Sequence, residues 1–354
     1  MLKKVLKCKK IISVIISLLI IFAGNSMRDK LADSLSTEYP ELRWSADGTS
    51  CGYVAAYYPV NEGVTQADVH GYRETLKKIL TESSIEEKDN ARVFLDSYST
   101  FGTANISGTR NTSTTTVNVT AIGGDYFFIH PDELLTGGYI SENDLMPDRV
   151  VIDEQTAWSL YGSTDVTGKY LMIGTEPYYI AGVIRPHDSE ASVKTYGNRS
   201  RIYMLFDAYK KINETAAITC YEIVYPDMIT NYAYNKLNET LGVMNDNPVL
   251  EEEESTADNP NIHVINMSTR FKVSSLWKVI TSYGERSSQT DGIIYPNWEN
   301  EYRRTEDFAA VILLTEFIAW TVVFILSVIG GFTCYKRYKP MVTEKIKKLK
   351  SIFD

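Results

Sequence analysis

Residues 121–184, AIGGDYFFIHPDELLTGGYISENDLMPDRVVIDEQTAWSLYGSTDVTGKYLMIGTEPYYIAGVI, decide the fold of this chain. Two short apolar runs, 150–152 and 178–184, have the composition of β-strands. Between them, residues 154–161 can form two helical turns, which Gly162 would end. The succession of strand, short helix and strand predicts a compact module rich in β-structure.

The same stretch carries a resemblance to a known family. Its motifs follow one another in a fixed order: GDYF at 124–127, LLTGGYI at 134–140, an acidic turn at Asp144, VVI at 150–152, Ala157, LYG at 160–162, DVTGK at 165–169 and IAGVI at 180–184. In this order they resemble the extracytoplasmic core domain of the macrolide-exporter (MacB-like, FtsX-type) family of ABC transporter permeases. The resemblance implies an α+β fold of two α/β subdomains, the second of which, about residues 121–200, is inserted in the first.

Two apolar segments flank the predicted domain. Residues 308–332 contain Glu316 as their only charged side chain, and because roughly 20 apolar residues span a bilayer, we predict a transmembrane helix at 308–333. The shorter segment, 11–27, is predicted to be the first transmembrane helix. A lysine-rich start before a short apolar run also describes a secretory signal, cleaved near Gly24, and this alternative stays open.

The basic residues are concentrated at the two ends, although the net charge is −9. Every charged residue before position 11 is a lysine, and Lys and Arg dominate after Cys334. Positively charged flanks stay in the cytoplasm, so we expect a two-pass protein of the cell membrane with both termini cytoplasmic. The expected organisation is a cytoplasmic N-terminus at 1–10, a first transmembrane helix at 11–27, an extracytoplasmic MacB-like core domain at 28–307, a second transmembrane helix at 308–333 and a basic cytoplasmic tail at 334–354.

Cysteines and glycosylation sequons bear on the compartment. Only Cys51 and Cys220 fall in the extracytoplasmic part, where they could form one disulfide, and two buried thiols fit equally well. Seven Asn-x-Ser/Thr sequons would suit a glycosylated eukaryotic ectodomain. Several arise by chance in an Asn- and Thr-rich chain, so together with the resemblance we favour a bacterial surface protein.

Two local patterns outside the opening stretch predict secondary structure. Residues 65–84 place Val69, Tyr72, Leu76, Ile79 and Leu80 on one face at helical spacing, with Thr65 or Asp68 as the N-cap. Strands are expected at 93–95 and 114–119, joined by an exposed loop at 100–113 that is rich in Gly, Ser, Thr and Asn.

Motifs for catalysis are missing from the sequence. Residues 162–169 come nearest to a phosphate-binding loop, but five residues separate the glycines and Tyr170 stands where a Ser or Thr hydroxyl is needed. None of the four histidines (His70, His130, His187 and His263) has metal-ligand spacing, and no nucleophile motif occurs. The acidic middle has no basic patch for nucleic acid. We therefore expect a protein that is not an enzyme and has no cofactor, metal or nucleic-acid partner.

Glu316 is the first feature that points to a contact. A carboxylate about nine residues into a membrane helix costs several kcal/mol unless it is protonated or paired. We expect an interhelical hydrogen bond to Ser13, to Ser17 or to a helix of a partner subunit. The alternative is that Glu316 reaches out to the nearer membrane surface.

The C-terminal tail is the second such feature. Val342, Ile346, Leu349 and Phe353 recur at helical spacing among lysines. Such a helix could lie on anionic membrane lipid or dock on a cytoplasmic partner through Lys345, Ile346, Lys347, Lys348, Leu349 and Lys350. An ordinary stop-transfer tail accounts for the pattern as well.

The resemblance suggests a function. In that family one helix precedes the core domain and three follow it, whereas one predicted helix follows it here. We expect a non-catalytic, two-helix membrane subunit of an ABC-type export or mechanotransmission complex that works with a separate ATPase and a separate permease subunit. The alternative is a membrane-anchored extracellular binding or adhesion module without a transport role. Association with further copies of the chain, as a homo-oligomer, is left open.

Overall fold

A computed structural model describes residues 2–35, 39–44, 50–85, 92–108, 114–186, 194, 200–243, 261–288 and 292–353. The described helices and strands are, in chain order, α1 Leu2–Asp33, α2 Pro40–Arg43, β1 Cys51–Tyr57, α3 Gln66–Glu82, β2 Leu95–Gly108, β3 Thr115–Gly124, α4 Tyr126–Ile129, β4 Glu133–Gly137, β5 Arg149–Asp153, α5 Glu154–Tyr161, β6 Tyr170–Ile173, β7 Glu176–Arg185, β8 Arg201–Leu205, α6 Phe206–Ile212, β9 Cys220–Pro226, α7 Tyr232–Leu241, β10 His263–Asn266, α8 Val273–Thr281, α9 Tyr283–Ser287 and α10 Asn297–Phe353. Short 3-10 turns lie at Val60–Glu62 and Met267–Thr269.

The chain divides into two compact units. The sheet unit comprises Ser34–Arg270 and Gly284–Arg304, and the helical unit comprises Met1–Asp33, Phe271–Tyr283 and Thr305–Asp354. The helical unit therefore takes in one short segment from between the two long helices.

The described strands of the sheet unit form one ten-stranded mixed sheet. Its order is β10-β1-β9-β2-β3-β8-β5-β7-β4, and β6 pairs with both β2 and β7. The β3–β8 and β5–β7 pairs are parallel and the other pairs are antiparallel. A mixed sheet carrying helices, together with two long apolar helices, confirms the predicted α+β class.

β1 and β9 form the centre of the core because both faces of the sheet are covered there. Every residue of both strands is buried. Tyr221 packs against Tyr72 of α3, and Tyr225 donates a hydrogen bond to the Leu76 carbonyl. Glu222 points to the opposite face. Helices therefore cover one face, and the other face holds a polar site.

α3 begins where the sequence predicted. Thr65 accepts a hydrogen bond from the Asp68 backbone while the Asp68 carboxylate accepts one from the Thr65 backbone, a reciprocal capping box. Val69, Leu76 and Leu80 form its buried face. The spacing of apolar residues and the cap thus identify this helix correctly.

The exposed loop predicted at 100–113 is wrong over its first part, because β2 continues to Gly108. Its partner β3 pairs with it from Ser97 to Ile106. Small residues are needed here: a Cβ on Gly102 would lie 1.9 Å from the Tyr209 hydroxyl. Packing against aromatic side chains, and not loop formation, accounts for the small residues of this stretch.

The strands of residues 121–200 lie together at one end of the sheet. β4, β5 and β7 are consecutive there, while the β5–β8 and β6–β2 pairs join them to the rest of the sheet by hydrogen bonds. The predicted insertion of this stretch as a second subdomain stays a prediction.

The helical unit is built on α1 and α10. Both contain segments long and apolar enough to cross a membrane, Lys10–Asp33 and Asn297–Pro340. Leu276 of α8 is buried with Ala309 and Leu313 of α10, and Leu31 of α1 packs on this cluster. Three stretches distant in sequence thus share one apolar core.

Candidate functional site

The first turns of α10, residues 297–304, hold the most deeply buried ion pair of the described residues. Arg270 donates to both carboxylate oxygens of Glu299, at 2.5 and 2.8 Å. Their side chains are 1% and 0% exposed. Tyr57 of β1 donates a further hydrogen bond to Glu299 at 3.1 Å. Two-pronged pairing of this kind fixes both the position and the orientation of the helix.

An aromatic side chain supports the same pair. The Arg270 guanidinium carbon lies 4.9 Å from the centroid of the Tyr302 ring, which is one turn further along α10. Tyr302 itself is 1% exposed. A guanidinium held against an aromatic face away from water gains a cation–π attraction in addition to its ion pair.

Glu222 is the centre of a second buried network on the same face of the sheet. Its carboxylate accepts hydrogen bonds from Tyr53 at 2.5 Å and Ser97 at 3.3 Å, and lies 2.9 Å from His130 Nε2. Burial alone would raise the pKa of Glu222, but the His130 charge and these hydrogen bonds outweigh it and hold the pKa below its usual value. Glu222 is therefore ionised at neutral pH.

Trp298 connects this network to α10. Its ring lies 4.4 Å from the His130 ring and 5.2 Å from Phe101, measured between centroids. Trp298 is 5% exposed. The start of α10 is thus held by an ion pair at Glu299 and by an aromatic side chain at Trp298. We define the anchor site as Arg270, Glu299, Trp298, His130 and Glu222.

The anchor site is suited to holding a helix on a sheet. Its acidic groups are matched by Arg270 and His130, and its aromatic rings fill the space between the charges. Removing one member of a buried pair leaves an uncompensated charge, which costs about 3–5 kcal/mol. Such a site resists small displacements of the helix relative to the sheet.

A separate cleft of about 210 Å³ opens on the other side of β2. Arg73 lies at its centre, bonded to Asp96 at 2.7 Å and to both oxygens of Glu142 at 3.1 and 2.9 Å. Arg92 pairs with Asp125 through two bonds of 2.8 Å. Burial raises the pKa of Asp96. The described residues contain no cluster of three or more His, Cys, Asp or Glu able to hold a metal ion.

Glu316 makes an interhelical hydrogen bond, as predicted, but its partner is Arg28 and not Ser13 or Ser17. Glu316 accepts a 3.1 Å hydrogen bond from Arg28 Nε, near the C-terminal end of α1. Ser17 lies three turns of α1 before Arg28, and Ser13 four turns before it, too far along the helix to reach the same carboxylate. Gly24 permits the approach, because a Cβ there would lie 2.4 Å from Glu316 Oε1.

Of the two alternatives left open for Cys51 and Cys220, the structure shows two buried thiols and not a disulfide. Cys51 and Cys220 are both thiols. In the antiparallel β1–β9 pair, Cys51 lies opposite Pro226 whereas Cys220 lies opposite Tyr57. The cysteines therefore occupy opposite ends of the paired strands, much farther apart than the roughly 4.4–6.8 Å between Cα atoms that a disulfide needs.

For the C-terminal tail, the structure agrees with the predicted helix but does not describe the side chains on which the predicted contacts depend. Residues 345–350 are helical as part of α10. The side chains of Lys345, Ile346, Lys347, Lys348, Leu349 and Lys350 lie outside the described part of the chain, so their contact with lipid or a partner stays a prediction.

The anchor-site residues were not predicted as a site. One signal was present for Glu222, which interrupts the otherwise apolar and aromatic run CYEIVY at 220–225. A carboxylate in a buried strand requires a partner. The identity of that partner, His130, is set by the fold and leaves no trace in sequence spacing.

The sequence of the chain is similar to that of a known protein family. A family model, the MacB-like periplasmic core domain, matches residues 11–227, which is more than half of the chain. The chain belongs to this family. Its resemblance to MacB-like permeases, predicted from the order of motifs, is thereby confirmed, and the chain is a transporter-associated membrane protein.

Solved structures of such domains are similar to the MacB-like chain at low identity. The periplasmic region of MacB from Actinobacillus actinomycetemcomitans is 14% identical over 69% of this chain and 97% of that one, with a TM-score of 0.41. The extracellular domain of the noncanonic ABC-type transporter YknZ from Gram-positive bacteria is 16% identical over 54% of this chain and 96% of that one, with a TM-score of 0.37. No curated protein sequence matches the chain significantly.

Proposed function

We propose that the chain is a non-catalytic membrane subunit of an ABC-type export or mechanotransmission complex. In this proposal the sheet unit lies outside the cell membrane, and both termini lie in the cytoplasm, where separate ATPase and permease subunits bind. The observation that carries the proposal is the anchor site, which fixes the start of α10 to the sheet. Membership of the MacB-like family is the reason for proposing an ABC-type complex.

The anchor site supports transmission of force for a mechanical reason. α10 is one continuous helix from Asn297 to Phe353, and its first turns are held by the Arg270–Glu299 pair and by Trp298. A helix resists bending between a fixed end and a moving end because its backbone hydrogen bonds run along its axis. A displacement of the part of α10 before Pro340, where the proline interrupts these hydrogen bonds, would therefore reach its first turns.

Co-purification tests the proposed partners. The full chain, tagged and extracted from its native membrane in mild detergent, should bring down an ABC ATPase and a permease that mass spectrometry can identify. Recovery of the chain alone would refute the coupling. The expected topology is tested separately, by labelling cysteines introduced at Lys211 and Lys339 with a membrane-impermeant reagent on intact cells: only the former should react.

A variant separates coupling from assembly. Arg270→Met loosens the anchor site without altering any residue after Asn297, so it should leave co-purification intact and change the rate of ATP hydrolysis by the recovered complex. Lys211→Met, at an exposed position of α6, is the control and should change neither quantity. An unchanged rate in a folded Arg270→Met complex would argue against transmission through α10.

The binding or adhesion module is the second candidate, and the Arg73 cleft favours it. Its guanidinium and carboxylate groups are partly exposed, with Arg92 at 52%, and could exchange their present partners for those of a charged ligand. Under this alternative, Arg92→Ala should abolish binding of cells or ligands, and no ATPase should co-purify.

A further inference from the structure

α8, residues Val273–Thr281, packs one side into the helical unit. Leu276 is fully buried and Val279 is 8% exposed. Leu276 belongs to the cluster formed with Ala309 and Leu313 of α10. This contact places α8 against the part of α10 that leads into its apolar segment.

Another side of α8 is apolar and open. Val273 and Trp277 are 56% and 42% exposed, and since they are four residues apart they lie one above the other on the helix surface. At 100° per residue, Ser274 and Lys278 lie on the remaining side, beyond Trp277. α8 therefore has a buried side, an open apolar side and a polar side.

The ring of Trp277 reaches the surface of α10 that faces outward. It lies 5.4 Å from the ring of Phe317, centroid to centroid. Phe317 is 55% exposed and belongs to the apolar segment of the membrane-crossing helix. An exposed phenylalanine in such a segment contacts lipid, so Trp277 borders the same lipid-facing surface.

The buried ion pair next to Phe317 suits a position at the membrane boundary. Glu316 is bonded to Arg28, and neither group belongs in hydrocarbon. From Phe317 to Tyr335, which precedes Lys336, α10 extends about 28 Å at 1.5 Å per residue, close to the roughly 30 Å of a hydrocarbon core. The stretch of α1 between Lys10 and Arg28 spans about 26 Å on the same basis.

We propose that α8 is a membrane-surface anchor. It lies against the leaflet at the Arg28 end of α1, with Val273 and Trp277 in the interfacial layer and Lys278 toward lipid phosphates. Lipid is the occupant because the open side of α8 is continuous with lipid-exposed Phe317 and lies level with an ion pair at the hydrocarbon boundary. Tryptophan is enriched at this depth, where its ring meets hydrocarbon and its N–H meets water. The membrane boundary on α10 is thereby set at Glu316 instead of at residue 308.

Fluorescence quenching tests the proposal on the full chain in phosphatidylcholine vesicles. One set of vesicles carries bromine on the acyl chains close to the headgroup, and another carries it close to the chain end. Subtracting the signal of Trp277→Phe from that of the unaltered chain isolates Trp277, which should be quenched more by the shallow bromine. The matched control is Trp158, which is also exposed, at 56%, but lies on α5 in the sheet unit. Subtracting the signal of Trp158→Phe from that of the unaltered chain isolates Trp158, which should not be quenched by either bromolipid.

Each of the following results would overturn the proposal. Trp277 fluorescence untouched by either bromolipid would mean that α8 does not contact lipid, and stronger quenching by the deep bromine would place it inside the hydrocarbon. A photo-crosslinker at Val273 that captures another polypeptide in native membranes would assign the open side to a protein partner. If Trp277→Phe does not fold, a spin label at Val273→Cys replaces it, in a chain whose Cys8 and Cys334 are changed to Ser. Greater accessibility of that label to oxygen than to a water-soluble nickel complex supports the lipid contact, and the reverse excludes it.

Discussion

Replacing Arg270 by methionine should destabilise the sheet unit strongly. The substitution removes both hydrogen bonds from Arg270 to Glu299 and leaves that carboxylate fully buried, with the Tyr57 hydroxyl still donating to it. An uncompensated buried charge costs about 3–5 kcal/mol. For a domain of this size each kcal/mol lowers Tm by roughly 2–4 °C, so a fall of about 6–20 °C is expected.

The assay is thermal unfolding of the purified full chain in detergent, followed by tryptophan fluorescence. Arg270→Met combined with Glu299→Leu removes both charges and should recover most of the loss, because two apolar side chains of similar volume leave no buried charge. Arg185→Met breaks two arginine–carboxylate contacts on the exposed surface, with Glu133 and Glu154, and should change Tm far less. A single variant as stable as the unaltered chain, or a double variant less stable than the single, would refute the role of the ion pair.

Three further predictions follow from other contacts. The pKa of Glu222 lies below its ordinary value of 4.5, so the ionised carboxylate contributes fully to stability above pH 4.5. This contribution is lost as the pH falls through the lower pKa of the folded state. The free energy of unfolding in denaturant should therefore be higher for the unaltered chain than for Glu222→Gln, and this difference should become smaller as the pH drops below 4.5. Arg28→Glu and Glu316→Arg should each lower the thermal stability of the chain in lipid nanodiscs, and the combined reversal should restore part of it; no recovery would count against the ion pair. Alkylation after unfolding without a reductant should modify both Cys51 and Cys220, and detection of a peptide pair linked through them would contradict the strand register.

Local patterns in the sequence were enough for the elements that depend on local physics. The α3 cap needs only a threonine and an aspartate three residues apart, and both membrane-crossing helices need only an apolar run. These interactions lie within one helix or between a helix and lipid, so periodicity and composition record them. The family resemblance added the order of the remaining elements, which no local pattern contains.

β2 shows where local patterns fail. Its residues 100–108 are mostly small or polar, which is typical of a loop, yet β3 pairs with residues 100–106, β6 pairs with residues 106–108, and Tyr209 covers Gly102. What makes this stretch a strand is the neighbour that it packs against. Two of its neighbours, β6 and Tyr209, come from distant parts of the chain, and composition does not record them.

The partners of the polar side chains could not be predicted from the sequence for a related reason. Glu316 was expected to need a partner, and it has one, but the sequence predicted a serine and not Arg28. The reason is that the predicted transmembrane helix began at residue 308, which placed Glu316 well inside the membrane. Packing of α8 on Ala309 and Leu313 shows that protein surrounds part of this stretch. The energetic need of a buried charge can be predicted from sequence; its partner depends on which residues the fold brings to the same level.

The anchor site holds both places where the chain leaves the sheet unit for the helical unit. Arg270 is the last residue of the sheet unit before Phe271 enters the helical unit, and Glu299 lies five residues before Arg304, the last sheet-unit residue before Thr305. One ion pair therefore ties the two crossings together at their bases. Under the proposed function, force along α10 would reach Glu299 and then Arg270, so the ion pair would load two segments of the chain instead of one. For this reason Arg270→Met should alter coupling even in a complex that assembles normally, whereas an equally destabilising substitution elsewhere in the sheet, such as Leu95→Ala in β2, should lower Tm without changing ATP hydrolysis.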